Sequence, residues 1–169
     1  MQERIWAPWR AQYIQDGTKR TSGESSGCFL CDAIASDPDQ DRDSLLVWRG
    51  ERSIVMLNRF PYNNGHLLVA PVIHRETLGD LTGPDLIEPI ETIRRMIEVL
   101  NRFMRPQGYN VGLNQGSAAG AGLPGHLHWH VVPRWDGDTN FMPILTDAKV
   151  IIESLFSYYD RLLAELGRS

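Results

Sequence analysis

Apolar and polar positions follow two different periods along the chain. Short apolar stretches at residues 45–48, 54–57 and 66–70 are separated by turn-rich segments, Arg49-Gly50-Glu51 and Pro61-Tyr62-Asn63-Asn64-Gly65. Runs this short, bounded by Gly, Pro and Asn, predict antiparallel strands. The period then lengthens: Leu86, Ile90, Ile93, Ile97, Leu100 and Met104 recur at spacings of three and four, which predicts one apolar helix face. Thr82 is the candidate cap of this helix, and Pro84 suits an early helical position. Pro89 removes a backbone donor and predicts a kink or a delayed start. Pro106 and Gly108 end the helix. Residues 110–114 and 126–133 read as two more strands, and 153–166 as a closing helix that buries Leu155, Tyr159, Leu162 and Leu166. Several strands with one long inserted helix and one terminal helix make an α+β domain built on an antiparallel sheet of about five strands.

Composition adds bounds. A chain of 169 residues suits one domain. It divides into an N-terminal arm and polar loop (1–27), a core (28–145) and a C-terminal helical segment (146–169). In the arm, Trp6, Trp9 and Tyr13 stand at helix-like spacing and call for a packing surface. Hydrophobic residues at 42% and charged residues at 22% are those of a soluble globular protein. A net charge of −4 argues against a wide basic face for nucleic acid or anionic membrane. No apolar run approaches the ~20 residues of a membrane span. The start, Met1-Gln2-Glu3-Arg4-Ile5-Trp6, lacks the layout of a signal peptide. A cytoplasmic protein is the expectation. In a reducing compartment the two cysteines, Cys28 and Cys31, read as a metal or redox pair rather than a structural disulfide.

The strongest chemical signal is His126-Leu127-His128-Trp129-His130-Val131-Val132. On a strand, alternate side chains share a face. The three histidines therefore point one way, and Leu127, Trp129 and Val131 point into a core. The preceding segment, Asn114-Gln115-Gly116-Ser117-Ala118-Ala119-Gly120-Ala121-Gly122, has few bulky side chains. Its backbone N–H groups can approach an anion closely, as phosphate-cradling loops do. Two of the histidines, or all three, holding one catalytic metal is a rival reading. A polar strand face without chemistry is the plain alternative. For Cys28 and Cys31, two thiolates at this spacing can grip one zinc ion, which takes four N or S ligands. A redox dithiol lacks its strand–C-x-x-C–helix context. Two buried free thiols are the remaining reading.

The triad resembles the signature of the histidine-triad (HIT) superfamily. Three further segments resemble its bacterial diadenosine tetraphosphate phosphorylase branch: Trp6-Ala7-Pro8-Trp9-Arg10, the run from Leu57 to Leu67 through Asn58-Arg59-Phe60, and Pro133-Arg134-Trp135 followed by Gly137 to Met142. The resemblance implies a HIT-like fold and a nucleotidyltransferase that forms a covalent nucleotide on the middle histidine, His128. A neutral imidazole can attack phosphorus, and a second acceptor can resolve the phosphoramidate. By the same resemblance, His130 stabilises the scissile phosphate. Asn114 and Ser117 contact the α-phosphate or the leaving group, Asn58 the ribose, and Phe29, Leu30 and Leu57 the base. Gly122 stands where hydrolytic relatives carry a glutamine, leaving room for inorganic phosphate as acceptor. Arg134 adds positive charge near the mouth. Zinc-containing relatives complete a C-x-x-C pair with a distant histidine and the first triad histidine, here His74 and His126, giving one structural zinc per chain. His66 keeps a structural or supporting role. HIT proteins also pair as homodimers through a helix and a sheet edge; Met96, Val99 and Phe103 would offer the helix face. A HIT-type hydrolase using water, a metal-dependent hydrolase, and a nucleotide-binding sensor are the alternatives in function.

Overall fold

The structure is a computed structural model that describes residues 26–138 and 153–167. In chain order the elements are α1 (Phe29–Ala35), α2 (Asp41–Ser44), β1 (Leu46–Arg49), β2 (Ser53–Leu57), β3 (Leu67–Pro71), α3 (Pro84–Met104), β4 (Gly108–Leu113), β5 (Trp129–Arg134) and α4 (Leu155–Glu165). The strands form one five-stranded sheet in the order β1-β2-β3-β5-β4, and every neighbouring pair is antiparallel. The α+β class and the strand count agree with the sequence reading. The arm carrying Trp6, Trp9 and Tyr13, and the segment from Thr139 to Met142, lie outside the described residues.

Both β2 and β3 are buried at every position. Continuous apolar runs belong to strands covered on both faces. On one face, Val47, Val55, Leu57, Leu67, Val69, Trp129 and Val131 pack with Ile93, Met96, Val99 and Leu100 of α3 and with Tyr158, Tyr159 and Leu162 of α4. On the other, Leu46, Ile54, Met56 and Ala70 pack with Cys28, Leu30 and Ala33 in and beside α1. β4 lies at the sheet edge, with no fully buried position.

The long helix departs from the sequence reading in three ways. Its N-cap is Gly83, at φ 52°, with no side-chain bond; Thr82 contributes only its carbonyl, which accepts from the Asp85 N–H at 3.2 Å. Pro89 neither delays nor divides the helix, because its missing N–H would have met only the first-turn carbonyl of Asp85. Finally, the buried face is Pro89, Thr92, Ile93, Met96, Val99 and Leu100, whereas Ile90 is 48% exposed. The polar Thr92 is drawn inward by Ser53, whose hydroxyl lies 2.9 Å away in the buried interface. Met96 and Val99 therefore belong to the chain's own core, and Phe103 packs against it. The helix stops at Arg105, which takes a left-handed φ of 50° before Pro106.

The triad segment enters its strand later than expected. β5 begins at Trp129, because the Leu127 N–H goes to the Arg75 carbonyl at 2.7 Å rather than to a sheet neighbour. The alternation persists nonetheless: Leu127, Trp129 and Val131 all join the α3-side core.

Candidate active site and metal centre

Each triad histidine has a different partner for one ring nitrogen, and this separates their chemistry. His126 Nε2 donates to the Pro71 carbonyl at 2.9 Å. Its Nδ1 is thereby left with a lone pair, 3.3 Å from Cys28 Sγ and 3.4 Å from Cys31 Sγ. His128 Nδ1 donates to the His126 carbonyl at 2.8 Å, so its lone pair lies on Nε2. His130 Nδ1 lies 2.9 Å from His66 Nε2. The three rings are not gathered on one point, which removes the single-metal reading of the triad.

Burial sets the charge state of His126 and His128. Both rings are buried, and desolvation pushes each below the ordinary imidazole range, against the opposing pull of the carbonyl each donates to. For His126, the neighbouring His74 and His128 push further in the same direction. A neutral His128 is the nucleophilic form.

Cys28, Cys31, His74 and His126 bring four ligand atoms within 4.8 Å of one another. Zinc bonds of ~2.3 Å to sulfur and ~2.0 Å to nitrogen give tetrahedral S–N edges of about 3.5 Å. Cys31 Sγ to His74 Nδ1 is 3.1 Å, close to that edge, as are the two His126 distances. The donor set and the spacing both fit a closed zinc site. Sequence places Cys28 as the N-cap of α1, where its sulfur also accepts from the Cys31 N–H. Burial and the adjacent Cys28 push the Cys31 thiol up to about 11, so an arriving metal displaces its proton.

The β2–β3 turn carries the supports. Gly65 takes φ +76°, and an added Cβ would stand 2.6 Å from the Tyr158 hydroxyl. The next residue, His66, is 1% exposed. Its Nδ1 accepts from the Tyr62 N–H at 3.0 Å, and Asn58 Nδ2 lies 3.3 Å from the same atom. Asn58 Oδ1 accepts from the Phe60 N–H. Asn58, expected at a ribose, is thus held beside His66 and the triad.

A groove of about 430 Å³ opens beside His130, lined by Tyr62, Asn110, Asn114, Val132 and Arg134 among others. Asn114, expected at the α-phosphate or leaving group, lines this groove with His130. Ser117 and Gly122 stay exposed on the following loop, which turns through the 3-10 segment Ser117–Ala119. Arg134 does reach the groove, but its charge is matched: Nε and Nη2 bond Asp138 at 2.6 and 2.8 Å, and Nη1 bonds Asn110. Tyr62 and Asn110 were not singled out from sequence. Tyr62 sits in a segment whose turn composition masks any other role, and Asn110 shows itself only once β4 is placed against β5.

The expected base pocket divides. Leu30 is fully buried and Phe29 partly buried on the α1 side of the sheet. Leu57 points into the α3-side core on the opposite face. Alternation along β2 puts Met56, not Leu57, on the α1 side with Leu30.

Comparison with known proteins agrees with this architecture. The HIT domain family model matches residues 39–137. A Mycobacterium tuberculosis protein called AP-4-A phosphorylase is 39% identical over 166 residues, covering 98% of this chain and 85% of the relative. Among solved structures, a zinc-bound histidine triad family protein of Mycobacterium smegmatis aligns with a TM-score of 0.65 at 22% identity, over 83% of this chain and 94% of its own. A histidine triad nucleotide-binding protein of Sulfolobus tokodaii aligns with a TM-score of 0.63 at 26% identity, over 82% and 89%. With a histidine triad at and just before β5, two of its rings buried, and a family model spanning more than half its length, this chain belongs to the HIT domain family.

Proposed function

We propose that this chain is a nucleotidyltransferase that cleaves diadenosine tetraphosphate, or a related dinucleoside polyphosphate, by phosphorolysis. The observation that carries the reading is the His128 ring, buried and neutral, with Nδ1 held by the His126 carbonyl and the lone pair on Nε2. The similarity to AP-4-A phosphorylase along nearly the whole chain supports the substrate class. In the first step His128 Nε2 bonds to the α-phosphorus, the bond to the bridging oxygen breaks, and ATP departs with that electron pair. In the second step an oxygen of inorganic phosphate attacks the same phosphorus, the P–N bond breaks, and ADP leaves. His130 faces the reacting phosphate, with Asn114, Ser117 and Gly122 along the phosphates, Asn58 near the ribose, and Phe29 and Leu30 toward the base. Gly122 carries no side chain to fill the space an incoming phosphate needs. Phosphate must compete with water at ~55 M, so positioning has to supply its advantage.

One structural zinc per chain on Cys28, Cys31, His74 and His126 completes the reading. Four protein ligands leave no open position, and the ion supplies a rigid link between α1 and the triad segment. The chain works as a cytoplasmic homodimer, with β4 as the sheet edge open to a second copy among the described residues. No helix among those residues is long and apolar enough to cross a membrane.

Product analysis tests the reaction. Diadenosine tetraphosphate with about 10-fold excess phosphate, enough for a competent acceptor site to dominate by mass action, should yield ADP and ATP. AMP as the main partner of ATP would make the enzyme a hydrolase. An alkaline quench should trap a protein heavier by one nucleoside monophosphate. The His128→Ala protein should lack both the adduct and turnover.

A further inference from the structure

Cys28 and Cys31 stand on one helical turn. Cys28 is the N-cap of α1, so the C-x-x-C pair does open a helix, a context the sequence reading did not give it. The Cys28 sulfur accepts from the Cys31 N–H at 3.4 Å, and the two sulfurs lie within 4.8 Å of each other. Side-chain rotation can close that separation to a disulfide. The chain has no other cysteine. Exposure differs across the cluster: Cys28 and His126 are buried, Cys31 is partly open and His74 is exposed. Of the two sulfurs, a small solute therefore meets Cys31 first.

The cluster reaches the nucleophile through the backbone. His126 Nδ1 faces both sulfurs, and the His126 carbonyl accepts from His128 Nδ1 at 2.8 Å. Leu127, between the two, donates its N–H to the Arg75 carbonyl at 2.7 Å, one residue beyond His74.

We propose that Cys28 and Cys31 form a reversible oxidation site for peroxide, and that closing their disulfide slows nucleotidyl transfer at His128. The effect on transfer rests on the function proposed above. Zinc ligation keeps both sulfurs as thiolates, the nucleophilic form. The Cys31 thiolate attacks one peroxide oxygen, the O–O bond breaks, and hydroxide leaves with the electron pair; Cys31 is then a sulfenic acid. The Cys28 thiolate attacks Cys31 Sγ, the S–O bond breaks, and a second hydroxide leaves as the S–S bond forms. The two thiolates together lose two electrons, and the peroxide gains them. A disulfide cannot serve as two thiolate ligands, so the pair gives up zinc as the dication it held. His126 Nδ1 loses its partner, and the carbonyl that orients His128 loosens. Added thiols reverse the change by attack on the disulfide.

The test uses the zinc-loaded full chain and hydrogen peroxide. Treated protein should weigh two hydrogens less than the reduced chain and stay unlinked to other chains on a non-reducing gel. With two cysteines per chain, that pair of results identifies the Cys28–Cys31 bond. A chromogenic chelator should report zinc release in step. Amide exchange at Leu127 should quicken. Formation of the nucleotidyl-His128 adduct should slow by about 10–100-fold, the cost of losing an outer partner. Dithiothreitol followed by zinc should restore all of these readings. A disulfide that leaves the adduct rate and Leu127 exchange unchanged would overturn the proposal. So would oxidation that runs on to sulfinic acid, that links two chains, or that fails at a peroxide level oxidising the urea-unfolded chain. A reduced, zinc-loaded protein that forms no adduct would instead defeat the nucleotidyl-transfer reading; zinc release and Leu127 exchange would still judge the oxidation site.

Discussion

Weakening the cysteine–histidine cluster should lower stability and catalysis together, because His126 serves both. Cys31→Ser nearly preserves volume but replaces a sulfur 3.1 Å from His74 Nδ1 and 3.4 Å from His126 Nδ1 with a poorer zinc ligand. Zinc at ~1,000 times its dissociation constant stabilises the fold by about 4 kcal/mol through mass action. For a chain of this size that is roughly 8–16 °C in Tm, at about 2–4 °C per kcal/mol. A 100-fold weakening removes about 2.7 kcal/mol of this, or roughly 5–11 °C. The catalytic effect follows from one hydrogen bond. The His126 carbonyl holds His128 Nδ1 at 2.8 Å, so a His126 ring no longer anchored by metal loosens the carbonyl that orients the nucleophile. Losing such an outer partner costs about 10–100-fold. The assay is metal content by elemental analysis, thermal melting with and without chelator, and single-turnover adduct formation. A Cys31→Ser protein free of zinc that melts and turns over like the wild type would refute the coupling.

Three further outcomes check other parts of the structure. Met96→Ala empties a fully buried position and should cost about 2–5 kcal/mol in urea unfolding. Ile90→Ala, at a position 48% exposed, should cost about 0.5 kcal/mol or less; equal costs would restore the face read from sequence. Burial pushes Tyr109 up to about 12 and Tyr158 higher still. A raised folded value means the unfolded chain ionises first, so stability is full below pH ~10 and falls above it. Tyr158→Phe should flatten that alkaline loss; an unchanged slope would show that the buried hydroxyl is not its source. Light scattering at micromolar concentration should report twice the 19.2 kDa chain mass, and a monomer would contradict pairing through the β4 edge.

What could be read from sequence depended on whether a pattern carries its own phase. Leu127, Trp129 and Val131 alternate with histidines, so the segment's two faces were legible before any fold was known. β2 gives no such phase. Ser53 through Leu57 are all buried, with Ile54 and Met56 as apolar as Val55 and Leu57, so nothing local says that Leu57 faces α3 while Met56 faces α1. The long helix suffers from a similar excess. With Ile87, Ile90, Ile93, Met96, Ile97 and Val99 all apolar, several stripes fit, and contact with Ser53 and α4 selects the one containing Thr92.

The triad shows most clearly where local pattern ends. His-x-His-x-His puts three equivalent rings on one side of the chain, yet a histidine's role depends on which nitrogen bears the proton. His126 is set by the Pro71 carbonyl, 55 residues away, and turns its lone pair to the cysteines. His128 is set by a carbonyl two residues before it, so its tautomer is the one closest to a local property. His130 is set by His66, 64 residues away, whose own tautomer depends on a backbone N–H in the β2–β3 turn. The tautomers of His126 and His130 are therefore products of the sheet, which brings β3, the Gly65 turn and β5 together. Damage within the triad then differs by its cause: exchanging Pro71 leaves in place the carbonyl that His126 meets, whereas shifting the Gly65 turn moves His66 and disturbs His130.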